Sequence, residues 1–279
     1  MILAKVFFGT FAPALAIIAG LIPGLLIGVV TEIYTSGDYK HVKKIADQSE
    51  TGPATTIISG LAVGMESTCI TILLIVIGIY IAYTVCGLYH RVDYDGFTSG
   101  AIVKMAYPHA DLKGWAHNDP LPDVTGYDLV ILVDITLPKE WMEANASKLI
   151  WIDHHAAAIK AVNRPDINGL RRTDIGACVL TWEYFFPTQL VRDHIALCGS
   201  YDVFRKDGKY ADWDHVWDYC LWLDQFGSGW TPEEGDRSRM LVEKASQLIN
   251  ETEGQIAQHI VDAAPLEAIR AAQEEELFA

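Results

Sequence analysis

The chain lacks several patterns that would assign it to a common class of protein. It has five cysteines, but they form no C-x-x-C pair and no zinc-finger spacing: Cys69, Cys86, Cys178, Cys198 and Cys220. This excludes a disulfide scaffold and predicts buried free thiols in a reducing compartment, without metal ligation by cysteine. Positive charge is also scarce, with 36 acidic and 21 basic residues and a net charge of −15. A broad basic surface for long nucleic acid is therefore excluded, whereas a small nucleotide held on metal ions is not.

Two stretches of the chain lack any charged residue. They are Val6–Thr31, with 26 residues, and Ser67–Tyr89, with 23 residues. At 1.5 Å per residue each is long enough to cross a hydrocarbon core of about 30 Å. Two buried helices of a soluble core are the alternative interpretation, but such helices rarely run so long without a charge. We expect the chain to contact the membrane through residues 6–31 and 67–83.

Charge and tryptophan are distributed unevenly. Residues 1–84 contain four Lys and five acidic residues and no Trp, so the rest of the chain carries a net charge of −14 and all eight Trp. This contrast predicts two polypeptides of different character joined in one chain. The expected division is a membrane segment at 1–84, a catalytic domain at 85–225 and a helical acidic tail at 226–279.

The membrane segment resembles a known family. The resemblance covers roughly residues 3–83 and depends on the motifs Gly24-Leu-Leu-Ile-Gly28, Thr31-Glu-Ile-Tyr-Thr-Ser36, Val42-Lys-Lys-Ile-Ala46, Thr51-Gly-Pro-Ala-Thr55 and Ile58-Ser-Gly-Leu-Ala-Val-Gly-Met-Glu-Ser-Thr68. These motifs are similar to an internal segment of the membrane-integral, ion-pumping pyrophosphatases. That family binds magnesium pyrophosphate through Asp-rich motifs on other helices, and this sequence contains none of them. The resemblance therefore implies a fragment that does not pump ions by itself.

In the second part of the chain, short apolar runs end in acidic residues. Asp93 and Asp95 follow the run 85–89, Asp134 follows 129–133, and Asp153-His154-His155 follows 149–152. Such runs are typical of buried parallel strands, and ligands bind at the carboxyl edge of open α/β sheets. Carboxylates and imidazoles at that edge suit divalent cations and favour a metal-dependent hydrolase.

The expected fold class is α/β, a parallel-sheet domain preceded by two transmembrane helices. We predict strands at 85–89, 112–116, 129–133 and 148–152. Helices are predicted at 97–106, 138–146, 175–186 and 189–198, followed by a helical tail that includes 241–263. Alternation of strands and helices on this scale is typical of a parallel sheet with right-handed crossovers.

The same residues resemble the motifs of the DHH phosphoesterase family, which includes oligoribonucleases and soluble manganese pyrophosphatases. The resemblance covers roughly residues 86–225 and depends on His90-x-x-Asp93-x-Asp95-Gly96, Asp134, Asp153-His154-His155 and Ser200-Tyr201-Asp202. It implies two Mn²⁺ ions, with Mg²⁺ as the alternative. The implied metal ligands are His90, Asp93, Asp95, Asp134, His154 and Asp202, with Asp134 bridging both ions. His155 would lie beside the scissile phosphate, and Asp153 would orient the imidazoles. The implied substrates are a small nucleotide, a short oligonucleotide or pyrophosphate.

The sequence departs from that family in two ways. His90 precedes Asp93 by three residues, whereas many members have a gap of four. The Gly-rich, His-containing loop of the family's second domain is missing, so we expect a truncated enzyme with a weakened grip on its substrate.

Each motif also has an ordinary structural interpretation. The Asp93–Asp95 pair can cap a helix, His154 and His155 can be core or surface residues, and Asp202 can be a turn residue paired with Arg205. Four other histidines match no motif and are expected at the surface: His109, His117, His194 and His215.

Two functional hypotheses remain open. The first is a Mn²⁺-dependent phosphoesterase of DHH type, tethered behind two membrane helices with its catalytic domain in the cytoplasm. The alternative is a non-pumping fragment of a membrane proton- or sodium-translocating pyrophosphatase, or a fusion without function.

Overall fold

The computed structural model describes residues 12–226 and 234–278. The chain divides into two compact units, Met1–Thr84 and Val85–Ala279. Only two residues of sequence separate the last helix of the first unit from the first strand of the second.

The first unit is helical. Its described elements are α1 (Ala12–Thr35), α2 (Lys40–Gln48) and α3 (Pro53–Ala82), and α1 packs along α3. Two segments are long and apolar enough to cross a membrane, Gly20–Gln48 and Pro53–Tyr80. Few residues of these segments are buried within the protein: Pro23 in the first, and Val63 and Gly78 in the second. Most of their apolar side chains therefore face outward, as lipid-facing side chains do.

The helix bounds correct the expected membrane segments. Residues 6–11 of the first charge-free stretch lie outside the described residues, and α1 extends to Thr35. The second predicted membrane helix is α3, and it begins at Pro53, 14 residues before residue 67. Pro53 occupies the first helical position and follows Gly52, which has a φ of 132°. The second charge-free stretch is not one helix, because Val85–His90 forms a strand.

The second unit contains a parallel sheet of four strands. The strands are β1 (Val85–His90), β2 (Asp111–Trp115), β3 (Leu129–Val133) and β4 (Leu149–Ile152), in the order β2-β1-β3-β4. The register pairs Cys86 with Asp111 and with Val130, and Val130 with Leu149. The predicted α/β class with a parallel sheet is therefore confirmed, as are the two apolar helices before it.

Helices connect and follow these strands. They are α4 (Tyr94–Ala106), α5 (Lys139–Asn145), α6 (Ala156–Val162), α7 (Ala177–Phe185), α8 (Asp193–Asp202), α9 (Trp213–Asp224), α10 (Glu234–Ile249) and α11 (Glu253–Phe278), with a 3₁₀ turn at Ala146–Lys148. The predicted single tail helix at 241–263 is wrong, because Asn250–Thr252 separates α10 from α11.

Successive side chains of β3 and β4 are buried on opposite faces of the sheet. Ile131, Val133 and Ile152 belong to the core under α4, α7 and α8, whereas Leu132 and Trp151 belong to the core on the other face. This two-residue period follows from strand geometry. Because both faces are covered, β3 and β4 read as continuous apolar runs. The edge strand β2 is only partly buried and has Lys113 at its centre.

Two predictions about burial are wrong. His194 is not at the surface: it is 1% exposed, with its ring nitrogens 3.0 Å from Thr98 Oγ1 and 2.8 Å from Tyr219 Oη. Cys69 is exposed, whereas the other four cysteines are buried, and all five are free thiols.

Candidate metal centre

The first acidic motif lies where β1 meets α4. Asp93 caps α4, and its Oδ1 accepts a hydrogen bond of 2.8 Å from the Gly96 N–H. A Cβ atom at Gly96 would lie 2.0 Å from the carbonyl oxygen of His90. The lack of a side chain at Gly96 therefore lets the start of α4 approach the end of β1 and places His90, Asp93 and Asp95 together.

Asp134 follows β3 in a left-handed backbone conformation, with φ of 60°. Aspartate tolerates this conformation better than most residues do. Its N–H donates to the carbonyl oxygen of Ile152 at 3.0 Å, and its side chain is buried. The turn thus directs the Asp134 carboxylate across the carboxyl edge of the sheet.

The Asp153-His154-His155 segment follows β4. Its position is fixed by the segment after α6, because the Asp153 N–H donates to the carbonyl oxygen of Leu170 at 3.1 Å. Asp153 is fully buried, and its Oδ1 lies 2.7 Å from His155 Nδ1. Thr136 and the Trp151 indole also donate to the Asp153 carboxylate. Asp153 therefore fixes the orientation of the His155 ring.

Two further carboxylates come from the helical side of the sheet. Asp95 accepts hydrogen bonds from the N–H groups of Ala177 and Cys178 at 2.6 and 2.8 Å, so it caps α7 as well. Asp202 ends α8, and its Oδ2 lies 3.0 Å from His154 Nε2. Residues more than a hundred positions apart in the sequence are thereby brought to one place.

The candidate ligands form three overlapping sets whose nitrogen and oxygen atoms lie within 4.8 Å of one another: His90, Asp93 and Asp134; Asp95, His154 and Asp202; and Asp134, His154 and His155. The two oxygens of Asp134 face different partners. Asp134 Oδ2 is 3.5 Å from His90 Nδ1, and Asp134 Oδ1 is 3.2 Å from His154 Nε2.

The buried polar atoms at the centre of these sets fit a bound cation. His90 Nδ1, His154 Nε2 and both Asp134 carboxylate oxygens are buried and lie close to other polar atoms, as with His90 Nδ1 at 2.9 Å from Asp93 Oδ2. Within the described residues, however, none of these four atoms makes a hydrogen bond of acceptable geometry. Buried polar atoms are normally paired, and unpaired ones are typical of places where an ion or a water binds. Carboxylate and imidazole ligands suit Mn²⁺, Mg²⁺ and Zn²⁺. These side chains could therefore hold divalent metal.

The electrostatics describe a site with crowded negative charge. Burial, together with the charge of Asp93, raises the pKa of Asp134, and burial beside Asp134 likewise raises the pKa of Asp95. Burial lowers the pKa of His154, but its carboxylate neighbours outweigh this effect and raise it to about 9. Without a cation the site thus retains protons.

The structure brings together every residue that the sequence predicts for the site, and some ordinary interpretations also hold. Asp93 caps a helix in addition to facing the site, and so does Asp95. Asp202 is not paired with Arg205, which instead binds Asp207 at 2.6 Å and contacts Asp174. Thr136 belongs to no motif in the sequence, and only its position two residues after Asp134 pointed to the site.

Comparison with known proteins adds information on the first unit. Residues 1–93 match the family model of the inorganic H+ pyrophosphatase. A putative K(+)-stimulated pyrophosphate-energized sodium pump of Clostridium tetani is 55% identical over 86 residues, which is 31% of this chain and 13% of that protein. A K(+)-insensitive pyrophosphate-energized proton pump of Methanosarcina mazei is 47% identical over 70 residues, which is 25% of this chain and 10% of that protein.

A shorter relative is the pyrophosphate-energized proton pump 2 of Mycoplana dimorpha, 44% identical over 70 residues, or 25% of this chain and 34% of that protein. The chain therefore spans a small part of the curated relatives that it matches. An uncharacterized protein from Helicobacter pylori G27 has a TM-score of 0.47 and 12% identity, covering 67% of this chain and 63% of that one; this likeness is too low to identify a fold family.

These comparisons confirm the pyrophosphatase resemblance of the membrane segment. They support the alternative, a pyrophosphatase-like fragment, better than the DHH interpretation, which stays a prediction. Membrane localisation agrees with the relatives and with the two apolar helices.

Proposed function

We propose that the second unit hydrolyses a phosphodiester or phosphoanhydride bond with two divalent cations, Mn²⁺ or alternatively Mg²⁺. The observation that carries this proposal is the position of Asp134, whose two carboxylate oxygens face separate ligand sets. One carboxylate that faces two sets in this way can hold two cations close together, the arrangement that two-metal hydrolases use.

Each side chain then has a role in this proposal. His90 and Asp93 would hold one ion, and Asp95, His154 and Asp202 the other, with Asp134 shared. The ions would neutralise the charge on the phosphate and activate water. His155, with 49% of its side chain exposed, faces the opening, where Asp153 orients it toward a substrate phosphate.

The test uses the full chain in detergent and an Asp134→Asn variant. We expect Mn²⁺-dependent release of phosphate from pyrophosphate or of mononucleotide from a dinucleotide, and a loss of about 100-fold or more in the variant. Asp262→Asn, at an exposed position of α11, is the matched control and should retain full activity. Equal rates for the wild type and Asp134→Asn would contradict the proposal.

For the first unit we propose a second function, that of a non-pumping membrane segment related to the pyrophosphate-energized pumps. The family-model match to residues 1–93, which include α1 to α3, and the identities of 44–55% over 70–86 residues favour this role. It would anchor the chain, associate with other membrane helices and leave the second unit on the cytoplasmic side. Pyrophosphate-driven proton or sodium uptake into vesicles holding only this chain would contradict the non-pumping role.

Both proposals assume that one gene encodes the two units. A single amplicon from source DNA across the codons for Ile58 to Asp134 would establish this. Separate amplification of each half, without a joined product, would mean that the two functions belong to different proteins.

A further inference from the structure

An apolar pocket lies beside the candidate metal centre. It has a volume of about 350 Å³, and its apolar walls include Trp115, Leu121, Leu137, Pro138 and Ala158. The polar lining residues are His117, Asp119, Thr136 and Lys139. Pockets of about 300 Å³ and more are large enough for small organic ligands. We refer to this cavity as the apolar pocket.

Two contacts and one short separation along the chain connect the apolar pocket to the metal centre. His117 lines the pocket, and its ring centroid lies 5.7 Å from that of Trp115 and 6.1 Å from that of His90. Thr136 also lines the pocket and donates a hydrogen bond to Asp153. Ala158 follows His155 by three residues on α6, one turn along the same helix.

The wall that carries Trp115 and His117 is held in place before any ligand binds. Asp119 accepts hydrogen bonds from the Ala116 N–H at 2.9 Å and from Arg91 at 2.8 and 3.0 Å. The Trp115 indole N–H donates to the carbonyl oxygen of Pro120 at 3.1 Å. Because these bonds fix the loop, a ligand would lose little free energy in ordering it.

The chemistry of the walls decides what the pocket can hold. Seven of the eleven residues that line the pocket are apolar, and such surfaces cannot replace the water around an inorganic anion. Thr136 and Asp119 are bonded to Asp153 and Arg91, and the Trp115 indole N–H is bonded to Pro120. An aromatic group gains free energy from such surfaces through burial and ring contacts. The pocket therefore suits the organic part of a substrate whose phosphate lies at the metal centre.

We propose that the apolar pocket is a subsite for an aromatic group on the phosphate, so that the preferred substrate is an aryl-type phosphoester and not inorganic pyrophosphate. This inference rests on the proposed function for the location of the phosphate. Trp115 and Leu121 are the residues that would determine this specificity.

The test measures binding separately from turnover. Phenylphosphonate and methylphosphonate carry the same anionic group, and only the first has a ring. With the full chain in detergent and Mn²⁺ present, titration calorimetry should show phenylphosphonate binding at least about tenfold more tightly, because the ring loses apolar surface to the pocket. Equal affinities, or no binding of either compound, would overturn the subsite.

Two variants test whether the preference for phenylphosphonate depends on the apolar pocket. Leu121→Asp places a charge at the rim of the pocket, where Leu121 is 53% exposed, and Ala158→Phe fills the pocket from α6. Both should reduce the preference for phenylphosphonate to about twofold or less, while leaving methylphosphonate affinity unchanged. Leu190→Asp, at an exposed leucine outside the pocket, is the matched control and should keep the preference. If Leu121→Asp also keeps the preference, the subsite is wrong.

The outcomes separate the two proposals. A preference for phenylphosphonate without Mn²⁺-dependent hydrolysis would support the subsite and contradict the hydrolase. Hydrolysis without any preference would do the reverse.

Discussion

At the scale of single residues, the two carboxylates of the first motif combine structural and chemical roles. Asp93 caps α4 and Asp95 caps α7, and both also face the candidate metal centre. Capping and ligation use different lone pairs of a carboxylate, so one residue can do both. A substitution at either position therefore changes stability as well as metal binding.

Gly96 offers a cleaner test of how the site is positioned. A Cβ atom there would lie 2.0 Å from the carbonyl oxygen of His90, so Gly96→Ala must displace the start of α4. We expect a loss of roughly 2–4 kcal/mol in the free energy of unfolding, measured with EDTA present, and weaker Mn²⁺ binding. Gly254→Ala, where nothing lies within 4 Å of the added carbon, should be neutral or stabilising. Similar stability for both variants would show that the close approach is unimportant.

At the scale of secondary-structure elements, the apolar runs were the most reliable signal. The predicted strand at 129–133 is confirmed with its bounds, and the other three differ by a residue or so. The helix predicted at 189–198 instead spans Asp193–Asp202, because α7 ends just before Pro187 and a loop follows. A proline disfavours the helical backbone conformation of the residue before it.

The break between α10 and α11 has a signal in the sequence. Thr252 and Gln255 form a capping box, in which the Thr252 N–H donates to the Gln255 side chain at 2.9 Å. The Gln255 N–H in turn contacts Thr252 Oγ1 at 3.4 Å. A Thr followed by Gln three residues later is a known sign of a helix start, and it outweighed the continuous apolar pattern.

The loop after β2 gives a prediction on pH dependence. The hydrogen bond from Arg91 holds the pKa of Asp119 below its ordinary value of 3.8. Because the folded-state pKa is the lower one, this pair stabilises the protein above the ordinary pKa, and the stabilisation is lost as pH falls through the folded-state pKa. Asp119→Asn should therefore be less stable than the wild type at about pH 6, and the difference should shrink toward about pH 3.

Urea unfolding of both proteins at the two pH values measures this change, with Asp262→Asn as the control for an exposed carboxylate. A difference in unfolding free energy that stayed constant with pH would rule out the ion pair as its cause.

At the scale of the whole molecule, the two units differ in where their apolar side chains lie. Apolar side chains of α1 and α3 point outward, as with Leu21 at 60% and Ile72 at 54% exposure, whereas the sheet of the second unit is buried on both faces. Exposed apolar surface of this extent favours lipid contact. Each unit therefore requires its own assay conditions, and the full chain must be studied in detergent or membranes.

Membrane insertion is directly testable. Ile72→Arg places a charge within the apolar segment Pro53–Tyr80 and should cost about 2.5–3.5 kcal/mol of insertion free energy. We expect the wild type to resist alkaline carbonate extraction and the variant to shift toward the soluble fraction. Leu190→Arg, at a leucine of the second unit that is 91% exposed, should behave as the wild type does. Full extraction of the wild type would contradict the membrane role.

The sequence by itself determined the class of the fold, the apolar helices and the carboxyl-edge positions of Asp93, Asp134 and the Asp153-His154-His155 segment. These features follow from local periodicity and strand direction, which short stretches of sequence contain. Only the tertiary structure decided that Asp202 reaches His154, that Asp95 caps α7, that His194 is buried and that an apolar pocket adjoins the site. Those features depend on how distant elements pack together, and no local pattern of residues encodes that packing.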